Sequence, residues 1–293
     1  MPYGRNKLAP VSQRGRGEFA VRKSGITQTL DLVDVGEHVC WVVDPDQGYT
    51  AATSTFLADG ELFGDKVVIF GSALEPSPAA GISRGAVVVD PRLIRGAGPT
   101  PDMSSMLGLV RREADRAGRQ GYRALRVLAV MDQLVPPGAG VDMLIDHELR
   151  LDELVADSAA IMVCAYGRDR FGAATLDHVA CVHPRELGSE WAGPSFRMFS
   201  SGPDSWSVCG VVDSDGAAAF SAALTAVAAL SPALRLRFDE LELMDASGMR
   251  ALMEAATRAP VRSITVEGAN PTVRSCWEML GYSTYEAPVE LTP

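Results

Sequence analysis

The stretch "RLRFDELELMDASGMRALMEA", residues 235–255, decides how the C-terminal third of the chain is read. An apolar, strand-like run ends at Asp245, the small residues Ala246-Ser247-Gly248 form a corner, and a helical pattern runs on to about residue 258. Three readings compete at that corner: a phosphorylation switch, the remains of one, or a plain helix cap.

Working outward, "SFRMFSS" and "SWSVCGVV" flank the turn-like "GPD" and predict paired strands. A helix over 216–230 carries Phe220, Leu224 and Val227 at helical spacing. After the corner come a strand, "SITVEG", and a helix with Asn270 as N-cap, Pro271 at its first position and Gly281 as its stop. Upstream, "LGSEWAGP" (187–194) breaks the pattern and marks a domain boundary. Before it, "HVCWVV", a helix in "GYTAATSTFLADGELFG", "DKVVIFG", "GAVVVD", a helix around 102–118, "ALRVLAVMD", a helix around 141–156 and "AIMVCAY" alternate as in a parallel sheet covered by helices. The fold class is α/β, in two domains. Residues 30–190 form the larger, residues 195–293 the smaller, and residues 1–29 a basic, disordered arm.

The bulk composition narrows the function. Apolar residues make up 47% and charged residues 22% of the 293, which suits a globular fold and excludes disorder for the body. No apolar run reaches the ~20 residues of a membrane span, and no secretion signal opens the chain, so the expected compartment is the cytoplasm without membrane insertion. The five cysteines are odd in number and fall mostly in apolar runs, which predicts reduced thiols. Residues 1–24 hold six basic side chains and one acid, a net of +5, so the body carries −15 of the total −10. An acidic body of this kind argues against direct DNA contact.

Residues 36–71 are laid out like the first strand, loop, helix and second strand of a RecA-like nucleotide-binding domain, yet the loop is "DPDQGYT". Asp44 and Asp46 stand where glycine N–H groups and a lysine would cradle a triphosphate, so the phosphate loop is degenerate. "GSALEPSPAAG" (71–81) lacks the Lys-Ser/Thr ending, Asp132 alone makes no ATPase, and neither a hydrolase elbow nor a His-Glu-x-x-His motif is present. No catalytic residue and no cofactor is assigned, and the chain is read as non-enzymatic.

The order of elements, with "LELMDASGMRALMEA" and "SITVEGANPTVRSCWEMLGY" at their spacing, resembles the STAS domain of anti-sigma factor antagonists over about residues 195–290. In that family the residue after the corner Asp is the Ser or Thr phosphorylated by the partner kinase; here it is Ala246. Ser247, one position on, is read as a helix cap, with a displaced switch as the alternative. The resemblance implies that Asp245, Ala246, Ser247, Gly248, Met249 and Arg250 dock an anti-sigma factor or related regulatory protein, although Met244 and Leu252 are read as core.

The phrases "GEHVCWVVD", "GDKVVIFG", "GYRALRVLAVMD", "DHELRLDELV", "MVCAYGRDRF" and "CVHPREL" resemble, in order and spacing, the MEDS sensory domain, a RecA-derived module that senses small molecules. Gln133 and His147 depart from its pattern, where aromatic residues are expected. His38, Cys40, Glu148, Cys164, Arg170 and His183 are the candidate ligand-sensing residues. His38 and Cys40, two apart on a strand, share a side, and Cys181 and His183 do likewise if that run is extended. The His/Cys group lacks common zinc spacing and is read as packing or pocket residues, with no metal assigned. The expected function is an anti-sigma factor antagonist that senses a small molecule. The alternatives are a metal- or redox-responsive binder with the STAS-like unit serving assembly, and a residual nucleotide-using enzyme.

Overall fold

The computed structural model describes residues 22–30, 33–44, 50–71, 86–95, 102–135, 138–188, 194–258, 262–284 and 288–292. The N-terminal sheet has seven parallel strands: β1 (Gly25–Thr27), β2 (His38–Val43), β3 (Lys66–Phe70), β4 (Val87–Val89), β5 (Leu125–Val130), β6 (Ala160–Gly167) and β7 (Arg185–Leu187). Their spatial order is β1-β7-β2-β6-β5-β3-β4. The four strands β2, β3, β5 and β6 are buried along their whole length, as the near-continuous Val/Ile/Leu runs require when both faces of a parallel sheet are covered.

Alternation along the strands assigns each face its cover. Val39, Trp41 and Val43 face Phe56 and Leu57 of α1 (Thr50–Phe63). Cys40, Val42, Cys164 and Tyr166 share the opposite core with α3 (Met103–Arg119), α5 (Val141–Ala156) and α6 (Ala173–Cys181). Two short helices, α2 (Arg92–Arg95) and α4 (Met131–Leu134), complete this half.

The second sheet has five strands in the order β12-β11-β10-β9-β8, antiparallel only between β8 (Phe196–Gly202) and β9 (Ser205–Val212). Between those two, Asp204 takes a left-handed turn conformation (φ 54°), which Asp tolerates better than most residues. Strand β10 (Ala233–Met244) is mostly alternately buried and exposed, so one face meets solvent. The helices α7 (Ala217–Leu230), α8 (Ala246–Thr257) and α9 (Pro271–Met279) and the strands β11 (Ser263–Glu267) and β12 (Val289–Leu291) follow the expected order. Asn270 caps α9 by accepting from Val273 N, Pro271 stands at its first position, and Gly281 (φ 76°) ends it.

Two sequence expectations change. Residues 25–27, assigned to the disordered arm, pair with β7 and extend the sheet; residues 1–21 lie outside the described residues. Cys181 and His183 do not share a strand, because Cys181 closes α6 and His183 lies in the connection to β7. The two halves also share buried contacts. Ile145 and Leu149 of α5, with Cys181 and Val182, belong to the same buried cluster as Phe196, Phe220 and Trp206 of the second half. Helix α5 is therefore buried on two sides, against its own sheet through Leu144, Leu151 and Val155 and against β8 and α7 through Ile145 and Leu149.

Burial on both sides leaves His147 of α5 without a hydrogen-bond partner among the described residues: it is 1% exposed, and neither ring nitrogen is bonded to any of them. Burial, its largest influence, lowers its pKa and keeps it neutral. Replacing a buried, unpaired polar ring by an apolar side chain removes a desolvation penalty. His147→Leu is expected to raise the free energy of unfolding by about 1 kcal/mol, read by urea denaturation. A loss of stability would mean that the ring has a partner that this geometry lacks.

Candidate functional site

Glu148 and Asp152 are four residues apart, so they project from one side of α5, here the seam between sheet and second domain. Both are fully buried, and a buried carboxylate must be paired. Asp152 takes two bonds from the Arg22 guanidinium (2.6 and 2.8 Å), one from the backbone N–H of Ser200 on β8 (2.7 Å), and lies 3.3 Å from His38 Nδ1. Arg22 also donates to the Ser200 carbonyl (3.2 Å) and lies over the Phe199 ring. One carboxylate thus joins the N-terminal segment, the first sheet and the second domain. Burial would raise the Asp152 pKa, but the Arg22 charge and the His38 bond outweigh it and hold the carboxyl well below its usual range.

Glu148 gathers the rest of the cluster. Its Oε1 accepts from the Tyr166 hydroxyl, and its Oε2 lies 3.2 Å from His38 Nε2, 3.3 Å from His183 Nε2 and 3.4 Å from Cys164 Sγ. His38 Nε2 lies 3.4 Å from Cys164 Sγ, and the two imidazole rings stand 4.1 Å apart. All four side chains are fully buried. Burial opposes the ionisation of Glu148, and the His183 and His38 rings overcome it. His38 is depressed by burial but raised more by Asp152 and Glu148, whereas burial and the neighbouring His38 hold His183 neutral. Burial, then the Glu148 charge, pushes the Cys164 thiol and Tyr166 hydroxyl well up. The thiols are protonated and poorly nucleophilic in this state.

Of the six expected ligand-sensing residues, four converge: His38, Glu148, Cys164 and His183. Cys40 lies across from Cys164 on the neighbouring strand and faces the same core, but its thiol is not among the converging donors. Arg170 does not join them: it sits in the exposed turn after β6, outside the cluster. Sequence reasoning missed Asp152, Tyr166 and Arg22. The signal for Asp152 was available, since "DHELRLDELV" places two acids at helical spacing among leucines. A pocket of about 240 Å³ opens beside the cluster, lined by Arg22, Lys23, Glu37, Arg185 and Ser200 among others. At the expected phosphate loop, Asp44 is paired with Arg168 at 2.5 Å, while Asp46 lies outside the described residues.

The corner after β10 is built differently from expectation. The N-cap of α8 is Asp245, whose carboxylate accepts from Ser247 N (2.7 Å) and Gly248 N (3.1 Å). Ser247 therefore lies inside the first turn and is not the cap. Ala246 and Arg250 are exposed, but Met249 is fully buried and belongs to the core, which corrects its assignment to a docking surface. Gly248 is buried because β9 and β10 leave no room: a Cβ there would stand 2.7 Å from Met244 Cγ and Val212 Cγ1. Asp245→Ala is expected to cost about 1 kcal/mol in thermal or urea unfolding. Ser247→Ala should stay within about 0.5 kcal/mol; the reverse order would return the cap to the serine.

Residues 37–184 match the family model described as MEDS, the methanogen/methylotroph DcmR sensory domain, and residues 201–291 match the model described as Mlab, STAS domain. No curated protein matches the chain.

Proposed function

The chain belongs to the MEDS sensory family and carries a STAS domain after it, and from that premise we propose a non-enzymatic regulator of the anti-sigma factor antagonist type. In this reading the N-terminal domain senses a small molecule or cellular signal. The STAS domain binds an anti-sigma factor or a related regulatory protein and so controls transcription without touching DNA. The observation that carries the reading is Asp152, which bonds the buried cluster through His38 and the second domain through Ser200 N. A change in the cluster is felt at β8 through one side chain. The exposed corner supports the second half: Ala246 has no hydroxyl, so docking is not governed by phosphorylation at that residue.

Affinity capture with the full chain from its native cells, followed by calorimetry with the captured protein, tests this reading. The expected result is an anti-sigma factor bound without any kinase step, together with no turnover of Mg-ATP by the chain. ATP hydrolysis abolished by changing Asp44 would favour a nucleotide-using enzyme instead.

A further inference from the structure

Glu148 and the three donors around it approach the spacing of a coordination shell along four of the six edges such a shell would have. Bond lengths of ~2.0–2.3 Å to nitrogen, oxygen and sulfur make the edges of a tetrahedron around zinc about 3.3–3.6 Å long. The separations His38 Nε2 to Glu148 Oε2, His38 Nε2 to Cys164 Sγ, Cys164 Sγ to Glu148 Oε2 and His183 Nε2 to Glu148 Oε2 are 3.2, 3.4, 3.4 and 3.3 Å. All four atoms lie within 4.8 Å of one another. Two imidazoles, a thiolate and a carboxylate suit a divalent transition ion and not magnesium or calcium, which take oxygen ligands.

The surrounding bonds orient each donor inward. His38 Nδ1 faces Asp152, and His183 Nδ1 lies 2.7 Å from the Val179 carbonyl, so both rings present Nε2 to the centre. Glu148 uses Oε1 for Tyr166 and keeps Oε2 for the same centre. An independent observation points to a ligand: the fully buried His183 Nε2, aimed at the centre, has no hydrogen-bond partner among the described residues, its 3.3 Å approach to Oε2 being outside hydrogen-bond geometry. Buried polar atoms are rarely left this way.

We propose that His38, Glu148, Cys164 and His183 form a closed, four-ligand zinc(II) site that fixes α5 against the sheet. Binding needs the Cys164 thiolate and both Nε2 lone pairs, so any protons these donor atoms carry pass to solvent, and one thiolate and one carboxylate balance the 2+ ion. Four protein ligands leave no open position, so the ion is structural. The site reverses the expectation of mere packing that the spacing of these residues in the sequence favoured. It stands independently of which partner the STAS domain binds.

The full chain, stripped by dialysis under reducing conditions and titrated with Zn²⁺ alone, is expected to take up about one equivalent. Substitution with Co²⁺ is expected to give the intense absorption of a tetrahedral site together with thiolate-to-cobalt charge transfer, both displaced by zinc. Cys164→Ser should lose the charge-transfer band and at least about tenfold in affinity. Cys40→Ser, on the same face, should keep both. Uptake below about a tenth of an equivalent by the wild-type chain would overturn the proposal whatever the variants do. So would a charge-transfer band that survives Cys164→Ser.

Discussion

Asp152→Ala in the full chain is expected to lower the free energy of unfolding by about 3–5 kcal/mol, the cost of leaving a buried charge without its partner. The size follows from what the carboxylate holds: the Arg22 guanidinium, 9% exposed, the buried Ser200 N–H and the His38 ring. Asp152→Asn keeps the shape and most of the hydrogen bonds but not the charge, and should fall between. Because folding lowers the Asp152 pKa, its contribution is fully present above the unfolded value of about 3.9. It is lost as the pH falls from there toward the folded value. Urea unfolding at neutral pH measures the effect. A loss below about 1 kcal/mol would mean that the pair is solvated and that Asp152 does not tie the domains.

Ala246→Glu is expected to weaken partner binding by about a hundredfold, because a fixed charge on a docking surface costs several kcal/mol when the partner has no matching group. The variant separates binding from folding unusually well. Ala246 is exposed at the first position of α8, where an acidic side chain favours the helix dipole, so the fold should be unchanged or slightly stabilised. Ala246→Ser should bind like the wild type until a kinase modifies it. Calorimetry with the captured partner decides; an affinity within about threefold of wild type would place the docking surface elsewhere on the domain.

Much of the fold was legible because its signals are local. The runs "HVCWVV", "KVVIF" and "AIMVCAY" are strands whose both faces are covered, and the helices expected around 102–118 and 141–156 lie within a residue of the observed 103–119 and 141–156. The Asn270-Pro271 start of α9 was equally plain, since the cap is chemistry between residues three apart. What escaped is what depends on distant parts of the chain. Ser247 looked like a cap only because the reach of the Asp245 carboxylate is invisible in a string of letters. Met249 looked available because nothing in the corner says which side of α8 faces the sheet. At the cluster, six residues are named from their chemistry and a family pattern, but the convergence of four of them needs β2, α5, β6 and the connection before β7 to meet. Arg22 is 130 positions from Asp152, a distance that no motif spans.

The double burial of α5 has a practical meaning for anyone who would take the protein apart. The border near residue 190 looks like a place to cut, yet the helix that lies over β8 and α7 belongs to the other piece. A fragment beginning after it would present the apolar surface around Phe196 and Phe220 to water and invite association with itself. The complementary fragment would leave Ile145 and Leu149 bare and the Asp152 carboxylate without its Ser200 donor. A single melting transition is therefore the expected behaviour of the intact chain.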